Sequence, residues 1–221
     1  MFSEKIVSML FENTLITLYM TVASTLIAYV IGLPLGILLV LTAKDGLKPN
    51  AMLYKVLDVI VNLLRSIPFL ILLVLVIPLT RAIVGKSYGP TATIVPLTIA
   101  AAPFIARLVE SSLREVDPGV VEAAKSMGAD NFNIVTKVLI PEARTALITD
   151  ATVALVTILG YSAMAGTVGG GGLGDIAIQY GYYRYQTDIM FATVILLVLL
   201  VQILQWAGMR LARALDRRVR N

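Results

Sequence analysis

Residues 14–41 read TLITLYMTVASTLIAYVIGLPLGILLVL, an apolar stretch without one charged side chain. A helix needs about 20 residues to cross a hydrocarbon layer roughly 30 Å thick, so this run is long enough to span it. No water reaches the backbone inside such a layer, and its polar groups must bond within their own segment, which makes the stretch a helix. Working outward, four more apolar segments follow at 56–79, 91–108, 145–168 and 188–207. The expectation is an all-α membrane protein with five transmembrane helices in a single domain over 1–221, and lipid as its solvent.

Composition points the same way. The chain is 58% hydrophobic and 14% charged, whereas soluble domains run near half apolar and about a quarter charged. There is no cysteine and no histidine, which excludes disulfides, thiolate nucleophiles, imidazole bases and most transition-metal sites, so no catalytic residue, cofactor site or metal site is expected. The net charge of +4 does not imply nucleic acid, because the basic residues stand at span ends and in the tail, where membrane topology places them. Residues 1–13 lack a basic start, a short apolar core and a small-residue cleavage site, so the N-terminus is expected to stay on the protein.

Orientation follows from the Lys and Arg of the connections. Thirteen fall on one side, Lys44, Lys48, Lys55 and the tail residues Arg217, Arg218 and Arg220 among them, against Lys5, Arg81, Lys86 and Arg184 on the other. The bias puts the N-terminus outside and the C-terminus in the cytoplasm.

The third segment is expected to continue as a helix leaving lipid, since Arg107, Glu110 and Arg114 alternate in sign at offsets of three and four. A long cytoplasmic connection then runs to Arg144. Within it, Asp117-Pro118 is a helix start, with a carboxylate to cap free N–H groups and a proline suited to the first position. Gly128 suits a left-handed close, and Asp130 or Asn131 can cap a second short helix running to Ile140, before Pro141. Local structure alone leaves two readings open: a solvated connection, or a rigid element that transmits force.

Residue identity adds to this. Glu122-Ala123-Ala124, three residues, Gly128, nine residues, then Val138-Leu139-Ile140-Pro141 resembles the EAA loop of bacterial ABC-importer permeases, with Val138 and Ile140 in place of the usual Ile and Leu. The resemblance implies a coupling helix–turn–helix at 117–141, between spans 3 and 4, in which Glu122, Ala123, Ala124, Lys125, Gly128 and Pro141 engage an ATPase subunit. It also implies two ATPase copies carrying ATP and Mg, a second copy of the chain itself, an extracytoplasmic substrate-binding protein, surrounding lipid, and a place in the bacterial inner membrane. Arg65-Ser66-Ile67-Pro68-Phe69, Ser162-Ala163-Met164-Ala165-Gly166 and Gln179-Tyr180-Gly181-Tyr182 are similar to methionine-importer permeases. Phosphonate and quaternary-amine importers are the neighbouring alternatives, and a membrane scaffold or an intramembrane enzyme are the readings from other classes.

Other patterns carry less. Gly169-x-Gly171-x-x-Gly174 fits a dinucleotide fingerprint but follows a membrane helix and no strand, so it reads as a flexible outer turn, or as a hinge or close-packing site for a gate. Gly85-Lys86-Ser87 ends like a phosphate loop, yet Thr80 stands where its first glycine belongs. Gly160-x-Ser162 lacks the second glycine of a nucleophile elbow and any histidine to activate the serine. Asp58 and Arg65, seven apart, share a helical face and are expected to meet either water or protein, or Arg65 snorkels to the surface. Thr157, Tyr161 and Met164 share a face of the fourth segment, and with Ser162 they line either the core or a solute pathway.

Overall fold

The structure, a computed structural model, describes residues 4–216. Among the described residues there is no strand, and every element is helical. Helix α1 covers Glu4–Thr42, α2 Ala51–Ser66, α3 Phe69–Leu75, α4 Ile77–Val84, α5 Pro90–Arg114 and α6 Pro118–Ser126. The chain continues through α7 Asn131–Asn133, a π-helical turn Ile134–Leu139 and α8 Ile140–Glu142 to α9 Arg144–Ala165. A 3-10 turn Gly166–Val168, α10 Gly172–Ile176 and a second π turn Ala177–Tyr182 precede α11 Thr187–Leu215. Arg217, Arg218 and Arg220, used above for orientation, lie outside the described residues.

Four helices, α1, α5, α9 with its 3-10 extension, and α11, are long and apolar enough to cross a membrane. The expected second span at 56–79 is not one continuous helix: α2 stops at Ser66 and the helical path turns by 102° before α3. Pro68 is the cause, since it lacks an N–H and disfavours helical backbone at Ile67. Taken as one broken span, the pair brings the number to five.

Two compact units share these elements. The first comprises the chain up to Ala28, Ile67–Ala101 and Ala154–Gln205. Its core includes Leu10, Leu173, Ile176 and Ile189, with Leu196 and Leu200 packed on them. The glycine cluster seats against this core. A Cβ at Gly172 would lie 2.6 Å from Thr17 Oγ1, and one at Gly170 2.7 Å from Ala165 O. Thr17 also accepts a 2.9 Å hydrogen bond from the Leu173 N–H, and the Gly89 N–H donates 2.9 Å to Gly169 O. Gly170 and Gly172 are therefore closely packed, whereas a Cβ at Gly169 would meet nothing within 4 Å. Burial pushes the nearby Asp175 carboxyl up from its ordinary value, partly offset by its hydrogen bond with Gln179.

The second unit comprises Tyr29–Ser66, Ala102–Val153 and the chain from Trp206 onward. Here α1 meets α5 through Gly32 and Gly36, whose absent Cβ atoms would fall 2.7 Å from Ala102 O and 2.6 Å from Ala106 O. Gly-x-x-x-Gly opposite small residues is how apolar helices approach in lipid, where dispersion rather than water expulsion holds them together. The pattern stands in the sequence as Gly32-Leu-Pro-Leu-Gly36 and was not among the expectations above.

Candidate functional site: a capped helix–turn–helix and a buried charge network

Residues 117–141 lie in the second unit, and their local geometry follows from their sequence. Asp117 leaves the helical region (φ −55, ψ 121) and its carboxylate accepts a 2.8 Å hydrogen bond from the Gly119 N–H, with Pro118 at the first helical position. The helix closes on Gly128, at φ 80. The Gly128 N–H donates 2.9 Å to Lys125 O and the Ala129 N–H 3.1 Å to Ala124 O, the paired bonds of a Schellman motif. Asp130 then caps the next turn, accepting 2.7 Å from the Asn133 N–H. Ile134, Val135 and Leu139 bury the second arm, while Pro141 is exposed in α8.

Within α6 the two alanines face opposite ways. Ala124 is buried and Ala123 exposed, together with Glu122 and Lys125. A cleft of about 340 Å³ beside α6 is lined by Val40, Leu113, Val121, Glu122 and Lys125, among others. Around the turn, three apolar side chains point outward: Val120, Met127 at 81% exposure and Phe132 at 75%. Sequence reasoning passed over these three. Their signal is an apolar residue on the polar face of a capped loop, legible only once the faces are known.

A Cβ at Gly128 would meet nothing within 4 Å, so its requirement is conformational. Gly128→Ala is expected to weaken the turn by about 1–2 kcal/mol through its left-handed backbone alone. Thermal unfolding of the purified protein checks this, with a substitution at the neighbouring exposed Met127 as the reference.

Below the loop, α5 carries the ion pairs its spacing predicts. Arg107 Nη1 lies 2.6 Å from Glu110 Oε2, and Arg114 Nη2 3.1 Å from Glu110 Oε1. The tertiary fold adds partners that spacing does not reveal. Arg107 Nη2 pairs with Asp58 and donates 2.9 Å to Asn62 Oδ1, so α2 is tied to α5. The Tyr54 hydroxyl donates 3.3 Å to Glu110, and Arg114 Nη1 reaches Asp45 at 3.7 Å. Glu110 is buried, with 5% exposure, and two guanidiniums make that burial tolerable. Asp58 thus faces protein, whereas Arg65, seven residues on, stays exposed.

The other singled-out residues fall in the first unit. Tyr161 stacks flat on Phe69, centroids 4.7 Å apart and planes within 4°. Ser162 is buried and its hydroxyl donates 2.7 Å to Leu159 O. Met164 is 47% exposed, and Thr157 is half-buried and engaged by a neighbour. The structure therefore separates these four: Ser162 and Tyr161 are occupied in packing, while Met164 is presented outward.

Residues 28–221 match the model of the binding-protein-dependent transport system inner membrane component family. The chain belongs to this family. It is a multi-pass inner-membrane protein and a transport permease. Among relatives of this family, the probable D-methionine transport system permease protein MetI of Vibrio cholerae is 53% identical over 202 residues, spanning 91% of this chain and 90% of that protein. The methionine import system permease protein MetP of Bacillus subtilis is 46% identical over 181 residues, 82% of each chain. The fold superposes on an inward-facing MetNI methionine ABC transporter chain with a TM-score of 0.96 and 50% identity, covering 98% of this chain and 100% of that one.

Proposed function

We propose that this permease imports methionine as the membrane half of an ATP-binding-cassette transporter, driven by a separate ATPase subunit. The observation that carries the coupling part is the exposed, apolar-tipped turn of Val120, Met127 and Phe132 around Gly128, held on a doubly capped helix–turn–helix. The likeness to methionine permeases over most of the chain supports the substrate.

In this reading two copies pack around a common axis, each with five spans, N-terminus outside and C-terminus in the cytoplasm. Two ATPase subunits sit on the 117–141 loops, and an extracytoplasmic binding protein delivers the solute. ATP and Mg belong to the ATPase, and this chain does no covalent chemistry. Closure of the ATPase pair on ATP carries the Gly128 loops inward and swings the spans so that the pathway opens outward; hydrolysis resets it. The driving force is the difference in ATPase affinity between the two arrangements, a rigid-body switch rather than local bending. Glu122, Ala123 and Lys125 form the exposed contact face of α6, and Ala124 lets the helix seat closely on its own bundle.

Vesicles containing the full complex are expected to accumulate labelled methionine only with ATP inside the ATPase compartment. Uptake of a phosphonate or quaternary amine instead would overturn the substrate. Glu122→Lys reverses a charge on the contact face and is expected to lower transport at least about tenfold, equivalent to roughly 1.4 kcal/mol of coupling. Unchanged transport and unchanged recovery of ATPase with that variant would count against the loop assignment.

A further inference from the structure

The polar residues of α2 form one stripe. Lys55, Asp58, Asn62 and Arg65 recur at offsets of three, four and three, which confines them to one arc of the helix. Val59, Ile60 and Leu63 are exposed on a different arc, at 46%, 49% and 63%, as a lipid-facing surface requires. The stripe is thus distinct from the lipid face, and its charges divide into two kinds. Asp58 and Asn62 are engaged by Arg107. Arg65 is exposed, and among the described residues its guanidinium takes part in none of the ion pairs.

The simplest alternative is a guanidinium snorkelling to lipid phosphate. Arg65 follows Val59, Ile60, Val61, Leu63 and Leu64 and precedes the apolar helix Phe69–Leu75. At 1.5 Å per residue it lies about 21 Å along α2 from Ala51, the end nearest Lys44 and Lys48. It stands one turn beyond Asn62, which accepts a hydrogen bond from Arg107, and apolar turns flank it. An unneutralised guanidinium within a span is expensive in hydrocarbon and belongs against water, an anion or another charge. It also stands just before the break at Pro68, and interrupted spans are where transport proteins place polar groups at mid-depth.

We propose that Arg65, with Asn62 one turn before it, is an anion-receiving station on a water-filled pathway, where the guanidinium takes the carboxylate of the solute in transit. The planar fork of the guanidinium matches a carboxylate with two parallel hydrogen bonds, which an ammonium cannot do. Arg107 does not compete for this role, because Asp58 and Glu110 occupy it. The proposal rests on the transport reading above, and it adds a residue that discriminates among solutes by their negative group.

The absence of cysteine in the chain makes a clean test available. Arg65→Cys, Asn62→Cys and the lipid-face controls Val59→Cys and Leu63→Cys are introduced singly into the full importer in proteoliposomes and treated with membrane-impermeant cationic or anionic methanethiosulfonates. The Arg65→Cys thiol is expected to react at least about tenfold faster than the Leu63→Cys thiol, with millimolar methionine slowing it, and the cationic adduct is expected to restore several-fold more transport than the anionic one. Labelling no faster than in the Leu63 control overturns the proposal. So does labelling that methionine leaves unchanged, as expected of a guanidinium held by lipid phosphate, or equal transport with adducts of either sign. Should Arg65→Cys fail to assemble, Asn62→Cys carries the same rate and protection comparison, and a loss of transport in Arg65→Lys as deep as in Arg65→Gln would be expected only if the bidentate geometry matters. Charge-dependent rescue in an importer that moves another carboxylate but not methionine would sink the substrate reading and leave the station standing.

Discussion

Arg107→Ala is expected to destabilise the second unit by about 3–5 kcal/mol, because it removes one partner from a buried pair and leaves charge behind. Glu110 would keep Arg114, whose side chain is 39% exposed, and the Tyr54 hydroxyl, and Asp58 would lose its counter-ion on α5. The effect exceeds that of a surface pair, worth about 0–1 kcal/mol, since Glu110 has only 5% of its surface in solvent. The tie between α2 and α5 should fail first, so that limited proteolysis near residues 44–50 speeds up before the complex unfolds. Thermal unfolding of the detergent-purified complex measures the loss. The double substitution Arg107→Asp with Asp58→Arg restores the pair across the two helices but leaves Glu110 facing a carboxylate, so only partial recovery is expected. A double-mutant cycle with zero coupling between positions 58 and 107 would show that the network does not hold the helices together.

Gly174→Ala is expected to be at least as damaging, and for a different reason. Its Cβ would lie 2.6 Å from Ala163 Cα, and that of Gly166, facing it, 2.9 Å from Asp175 Cα. Both obstacles are backbone, which cannot rotate away as a side chain does, so the end of α9 and the turn after it must separate from α10. Overpacking of this kind costs about 1–3 kcal/mol where side chains can move and more where they cannot. Gly169, at φ 77 but with nothing within 4 Å of a Cβ, is the internal control: Gly169→Ala should cost only about 1–2 kcal/mol of backbone strain. Equal recoveries for the substitutions at 174 and 169 would show that packing is not what the cluster is for.

Much of the loop was legible because its rules are local. Asp117, Pro118, Gly128 and Asp130 each act within about four residues, and their capping and turn geometry came out as their chemistry requires. The alternating charges at 107, 110 and 114 likewise pair along one helix. The second span shows the limit of the apolar pattern. Hydropathy over 56–79 does not register a break, whereas Pro68 imposes one, and the proline was in plain view. The partnership of Asp58 was not, since its cation stands 49 residues away. Reading Asp58 against Arg65, its neighbour on the same helix, missed it.

Composition and local order by themselves determined that the chain is helical, that its solvent is lipid, and that a capped turn at Gly128 joins two short arms. Those outcomes depend on the transfer energy of each segment and on backbone preferences within a few residues. Only the tertiary structure decided that Arg107 belongs to Asp58, that Gly166 and Gly174 exist to let backbones touch, and that Met127 and Phe132 face outward while Ala124 faces in. Ion pairing and close packing act over a few ångströms between residues far apart in the chain, and nothing short of the folded path brings those atoms within range.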